Sequence, residues 1–445
     1  MVKLKAVVIA AIVVLIALTG CEAITAIMGQ GEPETEAVAL SFAYPWDGSR
    51  IIQKLALEFD EGNEAIELIL MEGGHAYDYL ADMAAAFESG NDVPDVLLIH
   101  DTWINYLASS GYLRPLDDML SSRRSEFWDC MTDAASIDGS SFGVPFYQDA
   151  GMLYYRTDLI ADPPATWQQL EDYAMEAAGD NPLPYLFLFP ADSNDSRSYF
   201  TAELLSSWQA LPELSEEPVK IQDAGTLKAF EVLERMLVNG VVSKDVLDIN
   251  AEHARQQFEN GNVLFMWNWS YAWKLLNRPD SPIYGKVGVA PVPTGQEGSS
   301  HRSILSGWHL AIAKNTQNPE EAWLLAEYLA GNEAQMRLAV EGGLMPSRRN
   351  LYNQTDWQNA AGINRIMADL FGTGQTMGTG KNFTEQMEII GNTFYQAVLN
   401  SKEPESVLDA LKLGLIRISE DEAREGASRA SDEDGSSPEK NGAGQ

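Results

Sequence analysis

VALSFAY (Val38–Tyr44), IIQKLALEFDEG (Ile51–Gly62) and AIELIL (Ala65–Leu70) follow one another across short polar joints. The first and third are apolar runs of strand length. The second has helical spacing and stops at glycine. YDYLADMAAAFESG (Tyr77–Gly90) repeats the helical pattern, and VPDVLLI (Val93–Ile99) reads as a third strand. Strands that alternate with helices need crossover connections, so this order predicts a parallel sheet with helices on its faces. The fold class is α/β.

The pattern continues through the middle of the chain. GVPFYQDAGMLYYRTDLI (Gly143–Ile160) reads as strand, loop and strand. TWQQLEDYAMEAAG (Thr166–Gly179) is a helix with a capping box, Thr166 at the cap and Gln169 three residues on. TLKAFEVLERMLVNG (Thr226–Gly240) and EHARQQFENG (Glu252–Gly261) are further helices. NVLFMW (Asn262–Trp267), KVGVAPVP (Lys286–Pro293) and SGWHLAIAK (Ser306–Lys314) are strands. NPEEAWLLAEYLAG (Asn318–Gly331) is a helix with Asn318 at its cap and Pro319 in its first turn.

A chain of 445 residues, 45% hydrophobic, is too long for one core, and two domains are expected. Thirty basic residues stand against 65 acidic ones, a formal charge of −35. Such a surface repels phosphate backbones, which argues against nucleic acid as a partner. Residues 419–445 hold eight acidic and three basic side chains, so most of the charge lies on the folded body. After Glu420 the composition turns to Ser, Gly, Asp and Glu, and 419–445 is expected to be a disordered acidic tail.

MVKLK is a cationic start, and Ala6–Ala17 an uncharged apolar run too short for the ~20 residues of a membrane-spanning helix. LTGC (Leu18–Cys21) then resembles the bacterial lipobox, in which the cysteine becomes the lipidated first residue. Residues 1–21 are therefore expected to be a lipoprotein signal peptide, with an uncleaved membrane anchor as the alternative, and 22–37 a flexible Gly/Glu/Pro tether. With Cys21 lipidated, Cys130 has no disulfide partner and reads as a small buried hydrophobe.

Chemical motifs are sparse. Five histidines show no HExxH spacing or close Cys/His pairing, so no metal or cofactor site is expected. GTGQTMGTGKN (Gly372–Asn382) fails as a phosphate loop, because Gln375 holds the first glycine position and Asn382 the Ser/Thr position. It reads instead as a glycine-rich connection near a hinge. No GxSxG is present. Asp149, in FYQDAG between apolar stretches, could be a general acid, an acceptor for ligand hydroxyls, or a loop carboxylate in water.

The aromatic residues carry more. Of 11 tryptophans, several stand at strand ends: Trp103 after PDVLLI, Trp269 and Trp273 in NWSYAW after VLFMW, and Trp308 in SGWH. In α/β sheets, ligands bind outside the carboxyl ends of strands. There the apolar face of a pyranose can stack on indole or phenol, while its hydroxyl rim bonds to Asp, Asn and main chain. Core packing is the other reading for any single tryptophan.

Several blocks together resemble the extracellular solute-binding proteins of ABC importers, the sugar-binding family related to maltose-binding protein, with the trehalose/maltose binders nearest. They are PDVLLIHDTW with SGYLRPLDDML, GVPFYQDAGMLYYRTDLI with PPATWQQL, QQFENGNVLFMWNWSYAW with SPIYGKVGVAPVPTG, and SGWHLAIAKNTQNPEEAWLLAEYLAG with GGLMPSRRNLY. The resemblance spans Val38 to about Ile418. It implies a periplasmic-binding-protein-like (type II) fold, two α/β lobes joined by a multi-segment hinge with a ligand cleft between them. One lobe would take 38–147 plus 294–346, the other 148–293 plus 347–418. By motif, Tyr147 and Asp149 would contact sugar, Trp269 and Tyr271 would stack on it, and Gly307 with Trp308 would close the opposite wall. His100, Asp101 and Trp46 would complete the set.

Two departures stand out. His100 occupies the place where relatives often carry a carboxylate. TMGTG around Met377 replaces an arginine of disaccharide binders, which implies a different sugar. The resemblance further implies a monomer that works without a cofactor and captures carbohydrate by lobe closure. It would stay at the outer face of the membrane through Cys21 and deliver its cargo to a permease. The rivals are a secreted glycoside hydrolase using Asp149, a binding protein feeding a membrane sensor, and the same fold holding a non-sugar such as a glycerophosphodiester.

Overall fold

The computed structural model describes residues 37–418, apart from 75, 181, 213, 215–218, 300–302, 355–362, 378–381 and 401. The Cys21 lipobox, tether residues 22–36, Arg302, Lys381 and the 419–445 tail lie outside the described residues. Among the described residues no helix is long and apolar enough to cross a membrane, and no group of His, Cys, Asp and Glu could hold a metal ion.

The strands are β1 (Val38–Tyr44), β2 (Ile66–Glu72), β3 (Val96–His100), β4 (Ser136–Ile137), β5 (Ser140–Ser141), β6 (Val144–Ala150), β7 (Met152–Arg156), β8 (Tyr185–Leu188), β9 (Val263–Asn268), β10 (Val287–Ala290), β11 (Ile304–Ile312), β12 (Met345–Pro346) and β13 (Gln375–Thr376). The larger sheet runs β2-β1-β3-β11-β6-β12, with β13 against the start of β11. The smaller runs β10-β7-β9-β8, and β4-β5 is a separate pair.

β1, β2 and β3 are parallel, as their helical crossovers require. The purely parallel expectation fails beyond them: β11 runs antiparallel to both β3 and β6. It enters from a distant part of the chain, so no crossover fixes its direction. The loop expected within Gly143–Ile160 shrinks to one residue, Gly151, between β6 and β7. The capping box forms in altered shape. Thr166 Oγ1 accepts the Gln169 N–H at 3.2 Å, while Gln169 Oε1 accepts from the N–H of Ala165 rather than Thr166. Asn318 stands at its cap position, but its side chain turns away to donate to Ala39 O.

Two hydrophobic cores form. One gathers Phe42, Leu97, Ile99, Phe146, Leu310 and Leu325 around the larger sheet; the other gathers Leu153, Trp167, Phe187, Phe200, Phe265 and Trp267 around the smaller. The chain changes core between Tyr147 and Ala150, between Leu305 and Trp308, and between Leu338 and Ala339. Three crossing segments therefore join the two lobes.

His309 sits in the first lobe at 0% exposure, and neither ring nitrogen has a hydrogen-bond partner among the described residues. Burial pushes its pKa down to about 4, with Asp101 opposing the shift and His100 adding to it. Between that value and the free-histidine value near 6.5 the unfolded chain takes up a proton that the folded chain refuses. Stability should therefore fall as pH drops from about 6.5 to about 4, by at most about 1.4 kcal/mol per pH unit. Urea midpoints of wild type and His309→Leu across that window check this: the wild-type trend should be steeper, and equal slopes would refute the assignment.

Candidate ligand-binding site

Strand alternation builds one wall. On β6, Tyr147 and Asp149 point to one face; on β11, Ser306 and Trp308 lie opposite Asp149 and Tyr147 respectively; on β3, His100 lies opposite Trp308. The Tyr147 and Trp308 rings stack at 6.1 Å, and Trp308 meets His100 edge-on at 5.3 Å. Gly307, one residue from Trp308, faces the other way: a Cβ there would lie 2.4 Å from Met131 Cε. Its N–H donates to Asp101 Oδ2 at 3.0 Å. Gly307 thus does not share the ring-lined face. Alternation along SGWHLAI was the signal that could have separated it from Trp308.

The opposite wall is the NWSYAW segment. Asn268 is fully buried, its Oδ1 accepting the Trp269 N–H and its Nδ2 donating to Ala251 O. Tyr154 Oη donates to Trp269 O at 2.8 Å. Asp149 Oδ1 accepts from the N–H groups of Ser270, at 2.8 Å, and Ala150. Asp149 therefore fixes the turn leading into the short helix Tyr271–Leu276. Lys274 on the same helix donates to Val340 O and Glu341 O near the third crossing. Desolvation pushes the Asp149 pKa up to about 6 against the lowering bonds from Ser270 and Ala150.

A residue that the sequence did not single out joins the walls. Tyr199, on the helix Asn194–Ser207, packs edge-on against Trp269 at 5.1 Å and against His100 at 6.0 Å. Rings therefore run without a break from Tyr147 through Trp308, His100 and Tyr199 to Trp269, crossing from one lobe to the other. No local pattern marks Tyr199, since the helix buries ten of its residues and its aromatics look like core.

The remaining candidates stand outside this row of ring contacts. Trp46 is 50% exposed in the loop after β1, its ring beside Gly48, where a Cβ would come within 2.8 Å of it. Tyr271 is half-buried, and desolvation raises its phenol pKa. Met377 packs in the second core and faces inward. Cys130 is half-buried beside Gln148 Nε2, and burial raises its thiol pKa. Trp103 and Trp273 pack on opposite cores, and Arg156 pairs with Asp158.

Two α/β lobes, three crossing segments and an aromatic row between them define a type II periplasmic-binding-protein architecture. The chain belongs to the family of bacterial extracellular solute-binding proteins, which its residues 45–336 match. Maltose-bound MalE3 of T. maritima superposes with a TM-score of 0.79 at 25% identity, covering 86% of this chain and 100% of that one. A probable ABC transporter-binding protein of Deinococcus radiodurans is 28% identical over 296 residues, 64% of this chain and 70% of its own. A maltooligosaccharide ABC transporter solute-binding lipoprotein of Streptococcus pneumoniae is 21% identical over 333 residues, 70% of this chain and 76% of its own.

Proposed function

We propose that this protein captures a carbohydrate, a di- or oligosaccharide, between its two lobes and hands it to an ABC permease. The observation that carries the reading is the ring row between the two cores, with Asp149 at its edge. Flat apolar faces flanked by a carboxylate suit the two-sided character of a sugar ring. Ligand touching both lobes stabilises the shut form and shifts an open–closed equilibrium toward it. Trp308, Tyr147, Trp269 and Tyr271 supply ring surface, Asp149 accepts from a hydroxyl, and Trp46 covers the mouth. The sugar-bound relative and the lipoprotein relative support the ligand class and an anchor on Cys21. The lobes divide at the three places where the chain changes core. Neither a bond-making step nor a second subunit is required.

The test is a thermal-shift screen of the purified chain without its leader against mono-, di- and maltooligosaccharides and sugar alcohols. A ligand bound only by the native state raises the melting point. A rise for at least one sugar, with the sugar recovered unchanged, is expected. Hydrolysis of the sugar would favour the glycosidase reading instead, and silence across the panel would remove the carbohydrate. Asp149→Asn keeps an oxygen for the Ser270 and Ala150 N–H groups but loses the charge. The fold should survive, and affinity should fall about ten- to a hundredfold, the range of a charged hydrogen bond. Isothermal titration at pH 7 measures this, and unchanged affinity would take Asp149 out of the ligand's reach.

A further inference from the structure

His100 stands where the family resemblance would put a ligand contact, yet both its ring nitrogens are already occupied. Nδ1 lies 2.8 Å from Thr102 Oγ1 and accepts the Thr102 N–H at 3.4 Å, and Nε2 lies 2.7 Å from Ser306 Oγ. Asp101 Oδ1 is 3.0 Å from Nδ1 but makes no hydrogen bond in this geometry. Serine, histidine and aspartate thus sit side by side, and the arrangement invites a hydrolytic triad. The hydrogen bonds argue against one. Nδ1 accepts from a free N–H in the first turn of the helix Asp101–Ser109, so the ring proton is assigned to Nε2. Nε2 then donates to Ser306 and cannot take its proton, the reverse of what a general base must do.

This assignment gives the chain of bonds a direction. Thr102 donates to His100, His100 donates to Ser306 Oγ, and the Ser306 hydroxyl is left to donate toward the phenol oxygen of Tyr199, whose ring packs against His100. The first members belong to the first lobe, Ser306 lies on the second crossing segment, and Tyr199 lies in the core of the second lobe. His100 also touches Trp308 and Tyr199 with its ring edge.

We infer that His100 is a positioning residue: through Ser306 it orients Tyr199 and so sets the spacing between the Trp308 and Trp269 walls, without touching ligand itself. The inference rests on the sugar-capture reading. It differs from a direct contact in one respect: the effect of His100 must pass through Ser306 and the Tyr199 hydroxyl.

A double-mutant cycle on binding reads that dependence. With the best-stabilising sugar of the panel as titrant, H100L should weaken affinity about tenfold, as should Y199F, the upper range for one hydrogen bond. The double variant should be about tenfold weaker than wild type rather than a hundredfold, because both changes cut the same chain. H100Q, whose amide can donate to Ser306, should recover most of the loss. If H100L does not fold, S306A with Y199F gives the same cycle. Additive losses, or wild-type affinity in H100L, would overturn the positioning role while leaving sugar capture intact. A wild-type protein that binds nothing in the panel would bring down the sugar-capture reading itself.

Discussion

Trp308→Ala is expected to lower sugar affinity by about 2–4 kcal/mol, the loss typical of a central aromatic anchor. Sequence reasoning alone would place all of that loss in binding and leave the fold untouched. The structure adds a second cost. Trp308 is only 8% exposed, lies on the middle strand of the larger sheet, and stacks on Tyr147, itself 9% exposed. Truncation opens a cavity between β3 and β6, and removing a buried tryptophan costs roughly 3–5 kcal/mol of stability. Affinity by titration and stability by urea unfolding should therefore fall together. Trp308→Phe separates the two, since it keeps a ring against Tyr147 and refills most of the space. Full affinity in the alanine variant, with only stability lost, would make Trp308 a core residue and nothing more.

Gly151→Ala is the second large effect. Gly151 alone joins β6 to β7, and there the chain passes from one lobe to the other. Its φ is not in the left-handed region; space is the constraint. An added Cβ would lie 2.5 Å from Trp267 Nε1 and 2.6 Å from Glu203 Oε1, both on fully buried side chains. Neither can move without displacing the second core. Overpacking of this kind costs about 1–3 kcal/mol. Because the strain falls on a crossing segment, the angle between the lobes should shift as well. A lower urea midpoint together with a changed radius of gyration in small-angle scattering is expected, and a variant matching wild type in both would show the crossing to be slack.

These two sites illustrate different degrees of legibility. Trp308 could be singled out because an aromatic residue beside an apolar run is unusual, although β11 begins at Ile304 and so holds it mid-strand rather than at the expected strand end. NWSYAW could be singled out for the same reason, and its anchoring by Asp149 and Tyr154 explains how Trp269 is held. Gly151 reads as one more loop glycine until Trp267 and Glu203, far away in sequence, are brought against it. His100 and Asp101 are expected from the sequence to face a ligand, but their side chains turn toward Thr102, Ser306 and Gly307. Orientation depends on which strand becomes the neighbour, and β11 arrives from some 200 residues downstream.

What the sequence by itself determined was the α/β class, the order of strands and helices from Val38 to Ile99, and the aromatic character of the segment that follows β9. Those depend on local periodicity and on short stretches of side chain. Only the tertiary structure decided that β11 inserts antiparallel between β3 and β6, that Tyr199 bridges the rings of the two lobes, and that Gly307 faces Met131. Each of these is fixed by contacts between segments far apart in the chain, where burial of large apolar faces outweighs any preference a single segment carries.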